Sequence, residues 1–207
     1  DMLGAEQSGF IADIGYETYQ RILNEAMLEL REDEFKSLFA KEDEQAVKEQ
    51  LKTQKFITDC QIDTDMELLF PDHYIKNIAA RVRLYRELDN LSNEEELEAF
   101  TNKLIDQFGK IPTPSQELIN VVRLRWLAIE LGFEKIILKQ KKMVLHFPQD
   151  PESLYYQSPV FAQILNYLQN HPKAFRMKEG KNKLSLSAAP VSTIEQAIVM
   201  LKNIKNS

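Results

Sequence analysis

Between Ser92 and Gly132 the chain carries start and stop signals for two helices back to back, and this punctuation narrows the fold more than any other feature. Ser92-Asn93-Glu94-Glu95 has the form of a capping box: the Ser92 hydroxyl accepts the Glu95 N–H and the Glu95 carboxylate reaches back. The helix it opens sets Leu97, Phe100, Leu104 and Phe108 on one face, and Gly109 supplies the stop. Thr113-Pro114 caps the next helix, with Leu118, Val122, Trp126 and Ile129 inward and Gly132 at its end. Just upstream, Pro71 stops the strand before it and can sit at or near the start of a helix whose apolar face runs Ile75, Ile78, Ala79, Val82, Tyr85 and Leu88, through Asp89. A three-helix core follows from these signals.

The rhythm then changes. Glu134–Gln140 and Lys142–Phe147 read as a hairpin, and Ser158-Pro159 caps a helix bearing Phe161, Ile164, Leu165 and Leu168 that His171-Pro172 ends. Lys173–Lys178 and Lys183–Ser187 form a second hairpin, turned by Glu179-Gly180-Lys181-Asn182. Ser192-x-x-Glu195 repeats the capping box and opens a last helix with Ile194, Ile198, Leu201 and Ile204 inward. The order ββα-ββα predicts one antiparallel sheet covered on one face by two helices. Upstream of the helices, alternation over Phe56, Thr58, Cys60 and Ile62 predicts a strand and Met66–Phe70 a second one, with Asp63-Thr64-Asp65 as the turn between them.

Ahead of this lies an appendage. Tyr16, Tyr19, Ile22, Leu23, Ala26, Met27 and Leu30 recur at helical spacing, so residues 15–31 are expected to be an amphipathic helix. Residues 41–55 are almost wholly charged and polar and read as a connection. The expected class is therefore α+β, with residues 1–55 as a helical appendage and 56–207 as the main domain.

Charge is unevenly spread. Residues 1–132 carry 15 Lys+Arg against 27 Asp+Glu, whereas residues 133–207 carry 11 against 5. The acidic front disfavours a grip on DNA by the chain alone, because phosphate neutralisation drives such binding. The asymmetry suits docking to another protein surface. Lys139, Lys141 and Lys142 fall in one hairpin and Lys173, Arg176, Lys178, Lys181 and Lys183 in the other; solvated hairpin tips account for them first, nucleic-acid contact second. Arg81, Arg83, Arg86, Arg123 and Arg125 are expected to serve structure beside acidic helix faces.

Chemistry-bearing patterns are scarce. Cys60 stands alone and reads as a small core residue, and His73, His146 and His171 lack ligand partners at metal spacing, so no metal is expected. No phosphate-cradling glycine loop is present, which leaves the chain without a nucleotide site, and no side chain is placed as an activated nucleophile. Glu94-Glu95-Glu96 opposes a helix dipole, not a substrate. No apolar run approaches the roughly 20 residues of a membrane-spanning helix. A binding module in a reducing cytoplasm, and not an enzyme, is the expectation.

Two stretches carry a family resemblance. Leu3-Gly4-Ala5-Glu6-Gln7-Ser8-Gly9-Phe10-Ile11, followed by Gly15-Tyr16-Glu17-x-Tyr19-x-x-Ile22-Leu23-x-Glu25-Ala26, resembles the end of the translocation motif of RecG-type helicases in the form found in bacterial transcription-repair coupling factors. Because the motif is entered part-way, the chain reads as the C-terminal portion of something longer. Phe70-Pro71-Asp72-His73-Tyr74-Ile75, Arg81-Val82-Arg83-Leu84-Tyr85, Leu104-Ile105-Asp106-Gln107-Phe108-Gly109-Lys110-Ile111-Pro112, Arg123-Leu124-Arg125 and Leu131-Gly132 are similar to the C-terminal domain of the same family.

The resemblance implies a parent that is an ATP- and Mg-dependent DNA translocase, which removes stalled RNA polymerase and recruits UvrA. It implies that Gly4, Gln7, Ser8 and Gly9 belong to the loop coupling the motor to DNA. It also implies that the C-terminal domain binds the parent's own N-terminal UvrB-like module, masks the UvrA-binding surface and restrains the motor. The family's acidic helix takes part in that contact. Asp106 matches its Asp, but Lys103 and Gln107 stand where the family has Glu and Arg, so the contact is expected to lean on Asp106 with Glu95, Glu96 or Glu98. The rival expectation is an accessory domain touching nucleic acid through the basic hairpins.

Overall fold

The computed structural model describes residues 56–181 and 183–207, so the expected helix at 15–31, the connection at 41–55 and the loop of Gly4, Gln7, Ser8 and Gly9 lie outside the described residues. The elements run β1 (Gln61–Thr64), α1 (Ile78–Asp89), α2 (Glu94–Phe108), α3 (Thr113–Leu131), β2 (Lys135–Lys139), β3 (Lys142–His146), a 3-10 turn (Leu154–Gln157), α4 (Pro159–Asn170), β4 (Arg176–Gly180), β5 (Lys183–Ala188) and α5 (Ile194–Lys205). The class is α+β, as expected.

The sheet is mixed. Its order is β1-β2-β3-β5-β4, with both hairpins antiparallel and β1 parallel to β2, joined to it through the three helices. Alternation along the strands divides its faces. Ile136, Leu138, Met143, Leu145 and Leu186 are buried on one face, and α3, α4 and α5 cover that side. Two covering helices were expected, and α3 makes a third. The opposite face carries Lys135, Ile137, Lys139, Lys142, Val144 and His146, all half-buried or exposed.

α3 is the hinge of the architecture. One of its sides (Ile119, Val122) belongs to a helical cluster with Leu84, Leu88, Leu97, Phe100 and Leu104; another (Val121, Leu124, Leu127, Ala128, Leu131) belongs to the core on the sheet. The expected single stripe Leu118, Val122, Trp126 and Ile129 is thereby corrected, since a helix pinned between two cores is apolar around much of its girth.

Several local readings also shift. The strand at 56–62 begins only at Gln61, and Asp63 and Thr64 lie within it instead of forming a turn. The Thr64 hydroxyl donates to the Leu138 carbonyl at 2.7 Å and Asp65 accepts the Gln140 N–H at 2.8 Å, so this end of β1 is tied to the β2–β3 turn. Met66–Phe70 is no strand. Side chains take three of its backbone groups: the Met66 N–H donates to the Thr64 hydroxyl at 3.1 Å, the Phe70 N–H donates to the Tyr85 hydroxyl at 2.8 Å, and the buried Ser115 hydroxyl donates to the Leu69 carbonyl at 2.8 Å. That satisfies them without a ladder.

α1 starts at Ile78 behind an Asn77 cap, not at Pro71, and buries Leu84 and Leu88. Ile78 and Val82, expected inward, are 69% and 43% exposed. At the start of α3 the cap position is Pro112, with no side-chain cap bond, and Thr113-Pro114 form the first helical turn. Cys60 is a buried core residue whose thiol burial pushes up to about 12, with the Asp59 carboxylate adding to the effect.

Candidate interdomain-contact surface

α2 begins one residue later than its capping signal suggests. Asn93, not Ser92, is the cap and accepts the Glu96 N–H at 2.9 Å, while the Glu96 carboxylate accepts the Ser92 N–H at 2.8 Å. The reciprocal geometry of a capping box is kept, displaced by one position. α5 shows the same displacement: Thr193 accepts the Gln196 N–H and Gln196 accepts the Ser192 N–H. The register has a tertiary cause. Starting at Glu94 lets that carboxylate meet Arg123 of α3 at 2.7 Å, and starting at Ile194 lets its N–H reach the Glu117 carboxylate of α3 at 2.8 Å.

With α2 in this register Leu97, Phe100 and Leu104 are buried, and the opposite ridge faces solvent. Glu95, Asn102 and Asp106 recur on it at helical spacing, with Glu98 alongside, and all are exposed. The carboxylates of Glu95, Glu98 and Asp106 make no hydrogen bond or ion pair among the described residues.

The other two named positions sit on the flank towards α1 and are engaged within the domain. Glu96 serves the cap, and the Lys103 ammonium lies 3.3 Å from Glu87. The structure therefore gathers Glu95, Glu98 and Asp106 on one solvent ridge and sets Glu96 and Lys103 apart from it. Of the arginines, Arg81 pairs with Asp72, Arg123 with Glu94, and Arg125 sits between Asp59 and Asp89 at 3.9 and 3.7 Å. Arg83 and Arg86 make no ion pair among the described residues, against the structural role expected of them.

Beside the carboxylate ridge lies a groove of about 540 Å³ lined by Thr101, Ile105, Lys110, Gln116, Asn120 and Glu195, among others. Ile105 stands 46% exposed at its edge. Sequence reasoning passed over this groove, although a signal existed: Ile105 is apolar yet out of phase with Leu97, Phe100 and Leu104. The groove thus sets the apolar Ile105 next to the exposed carboxylates of the ridge. Among the described residues no group of three or more His, Cys, Asp or Glu side chains is placed to hold a metal ion. No helix among them is long and apolar enough to cross a membrane.

A profile of the TRCF domain matches residues 64–158, which takes in α1, α2, α3 and the first hairpin. The transcription-repair-coupling factor of Rickettsia typhi is 30% identical over 184 residues, 89% of this chain and 14% of that protein. This chain belongs to the transcription-repair coupling factor family. The Escherichia coli K12 protein of the same name is 29% identical over 184 residues, again 89% of this chain and 14% of the relative, and that of Mycobacterium tuberculosis is 35% identical over 136 residues, 66% of this chain and 10% of the relative. The chain thus spans about a seventh of the length of the first of these relatives. A solved structure described as the C-terminal domain of transcription-repair coupling factor aligns with a TM-score of 0.58 at 17% identity, covering 72% of this chain and 96% of that one, which establishes the shared fold.

Proposed function

We propose that this chain is a regulatory, non-catalytic end of a bacterial transcription-coupled repair translocase, working with its parent in the cytoplasm. In this reading it docks through α2 onto the parent's own N-terminal UvrB-like module, covers the UvrA-binding surface and restrains the motor until RNA polymerase is engaged. ATP, Mg and DNA are handled by the parent, and Gly4, Gln7, Ser8 and Gly9 belong to its coupling loop. The observation that carries the reading is the ridge of Glu95, Glu98 and Asp106, exposed and without an ion pair among the described residues, beside a groove edged by Ile105.

The energetics fit a releasable contact. Exposed charge pairs contribute about 0–1 kcal/mol each. Several together with an apolar patch hold a closed state by a few kcal/mol, which differential contacts elsewhere can reverse. Retention of the chain on the immobilised N-terminal module tests the reading. Asp106→Lys, alone and with Glu95→Lys, is expected to weaken retention at least tenfold. Unchanged retention of the double variant would remove the ridge from the contact.

A further inference from the structure

The open face of the sheet carries a second surface, of opposite sign and unrelated to α2. Pairing registers place Lys135, His146, Ser185 and Lys178 side by side across four strands, and Lys139 beside Lys142. Arg176 and Lys183 lie on the same face, because each pairs with or alternates with those residues. Against these six Lys or Arg side chains the strands set one carboxylate, Asp63 at the β1 edge, 3.1 Å from Lys139. The centre is filled by Ile137, Val144, Ser185 and Ser187, half-buried and without an aromatic ring.

We propose that this face seats the sugar-phosphate backbone of duplex nucleic acid, without reading its sequence. Lys135 and Lys178 stand three strand spacings apart, about 14 Å, and Lys135 and Lys139 four residues apart, about 13 Å. Such spans match phosphates on two sides of a groove roughly 12 Å wide. Ser185 and Ser187 are hydroxyl donors of the kind that hold phosphate oxygens between lysines. The missing aromatics exclude a stacking platform for unpaired bases, which favours a duplex over a single strand. An acidic protein is the poorer fit, since lysine is depleted and aromatic residues and arginine are enriched at the centres of protein interfaces. The low proton affinity of His146, set by burial and then by Lys135 and Lys183, agrees with a crowded positive field there. The whole chain has a net charge of −6, so the contact belongs to low salt or to a parent that already holds DNA.

Anisotropy of a labelled 24-base-pair duplex of mixed sequence, titrated with the full chain at 25 mM salt and then at rising salt, tests this. Binding is expected, with a log–log salt slope of roughly −4, as for four to five neutralised phosphates. Lys135→Glu/Lys178→Glu/Lys183→Glu is expected to lose at least tenfold in affinity, and the Gln triple, which only removes charge, is expected to lose affinity as well. Lys202→Glu, on α5 across the sheet, is expected to bind the duplex as the unsubstituted chain does. No duplex binding at 25 mM salt would overturn the proposal. So would duplex affinity unchanged in both triple variants, or a polyglutamate chain bound more tightly than the duplex.

Discussion

The helical half, residues 56–132, and the sheet half, residues 133–207, are of similar length yet are held together in different ways. Among the described residues the helical cluster contains ten buried ones, Phe70 to Val122, whereas the cluster on the sheet contains 24 and takes five of them from α3. The helical cluster is the smaller of the two and shares α3 with the larger. The helical half therefore depends on α3, which is rooted in the larger core, and on single side-chain bonds such as Tyr85 to the Phe70 N–H and Ser115 to the Leu69 carbonyl. The sheet half is bound by backbone ladders in which each bond is backed by its neighbours.

The same division separates charge. Residues 56–132 hold 8 Lys+Arg and 14 Asp+Glu, a net of −6, and residues 133–207 hold 11 and 5, a net of +6. Each sign is displayed on a face that no described element covers, the solvent ridge of α2 in one half and the side of the sheet opposite α3, α4 and α5 in the other. One chain thus presents two surfaces suited to partners of opposite character.

The junction between the halves is where the comparison breaks most readily. Gly132 has φ of +88°, and a Cβ there would lie 2.1 Å from a ring carbon of the buried Tyr155, whose hydroxyl donates to the Leu131 carbonyl at 2.6 Å. Gly132→Ala combines backbone strain with overpacking, so a loss of about 2–5 kcal/mol is expected. Urea unfolding should show a lower midpoint at unchanged slope.

Next in size is Leu104→Ala, confined to the small cluster, with an expected loss of about 2–4 kcal/mol. Trp126, the single tryptophan, packs on that cluster and its fluorescence reports on it, while far-UV circular dichroism reports on the whole. If α3 unites the halves, both signals move together to a lower midpoint. A Trp126 transition that parts from the circular dichroism transition would show that the halves unfold separately.

The smallest effect concerns pH and the sheet half alone. Burial, then Lys135 and Lys183, hold His146 below its ordinary 6.5. The unfolded chain therefore binds this proton more readily than the folded one, and the contribution is fully present above 6.5 and is lost as pH falls towards the folded value. Stability should decline between pH 7 and 5, and His146→Gln should flatten part of that decline. An identical pH profile in the variant would remove His146 as the cause.

How much of this could be read beforehand differed by element. The first hairpin, α4 with its Ser158 cap and the inward set of α5 lie where their patterns indicated, because strong local signals there agree with what tertiary packing requires. The first strand of the second hairpin, expected at Lys173–Lys178 with a turn from Glu179, runs instead over Arg176–Gly180, because Glu179 and Gly180 pair with Leu184 and Lys183. The segment from Met66 to Phe70 was misread because an apolar run is equally compatible with a strand and with a loop tucked under a helix. Only the positions of Tyr85 and Ser115 decide between them. On α1 the positions of Ile78 and Val82 fit a core stripe by spacing, but the helix packs through Leu84 and Leu88 and leaves both exposed. The acidic ridge of α2 was legible residue by residue, whereas the groove beside it was not, since its walls come from three separate helices.

Taken alone, the order of residues determined the α+β class, the number and approximate ends of the elements after Gly132, and the buried stripe of α2, since these follow from periodicity and capping within a few turns of chain. Tertiary structure alone decided the one-residue offset of both capping boxes, the two-sided burial of α3, the parallel placement of β1 and the sharing of one sheet face by six basic side chains. The physical reason is that each of these depends on a partner far away along the chain: Arg123 for Glu94, Glu117 for Ile194, and a neighbouring strand for every lysine on the open face.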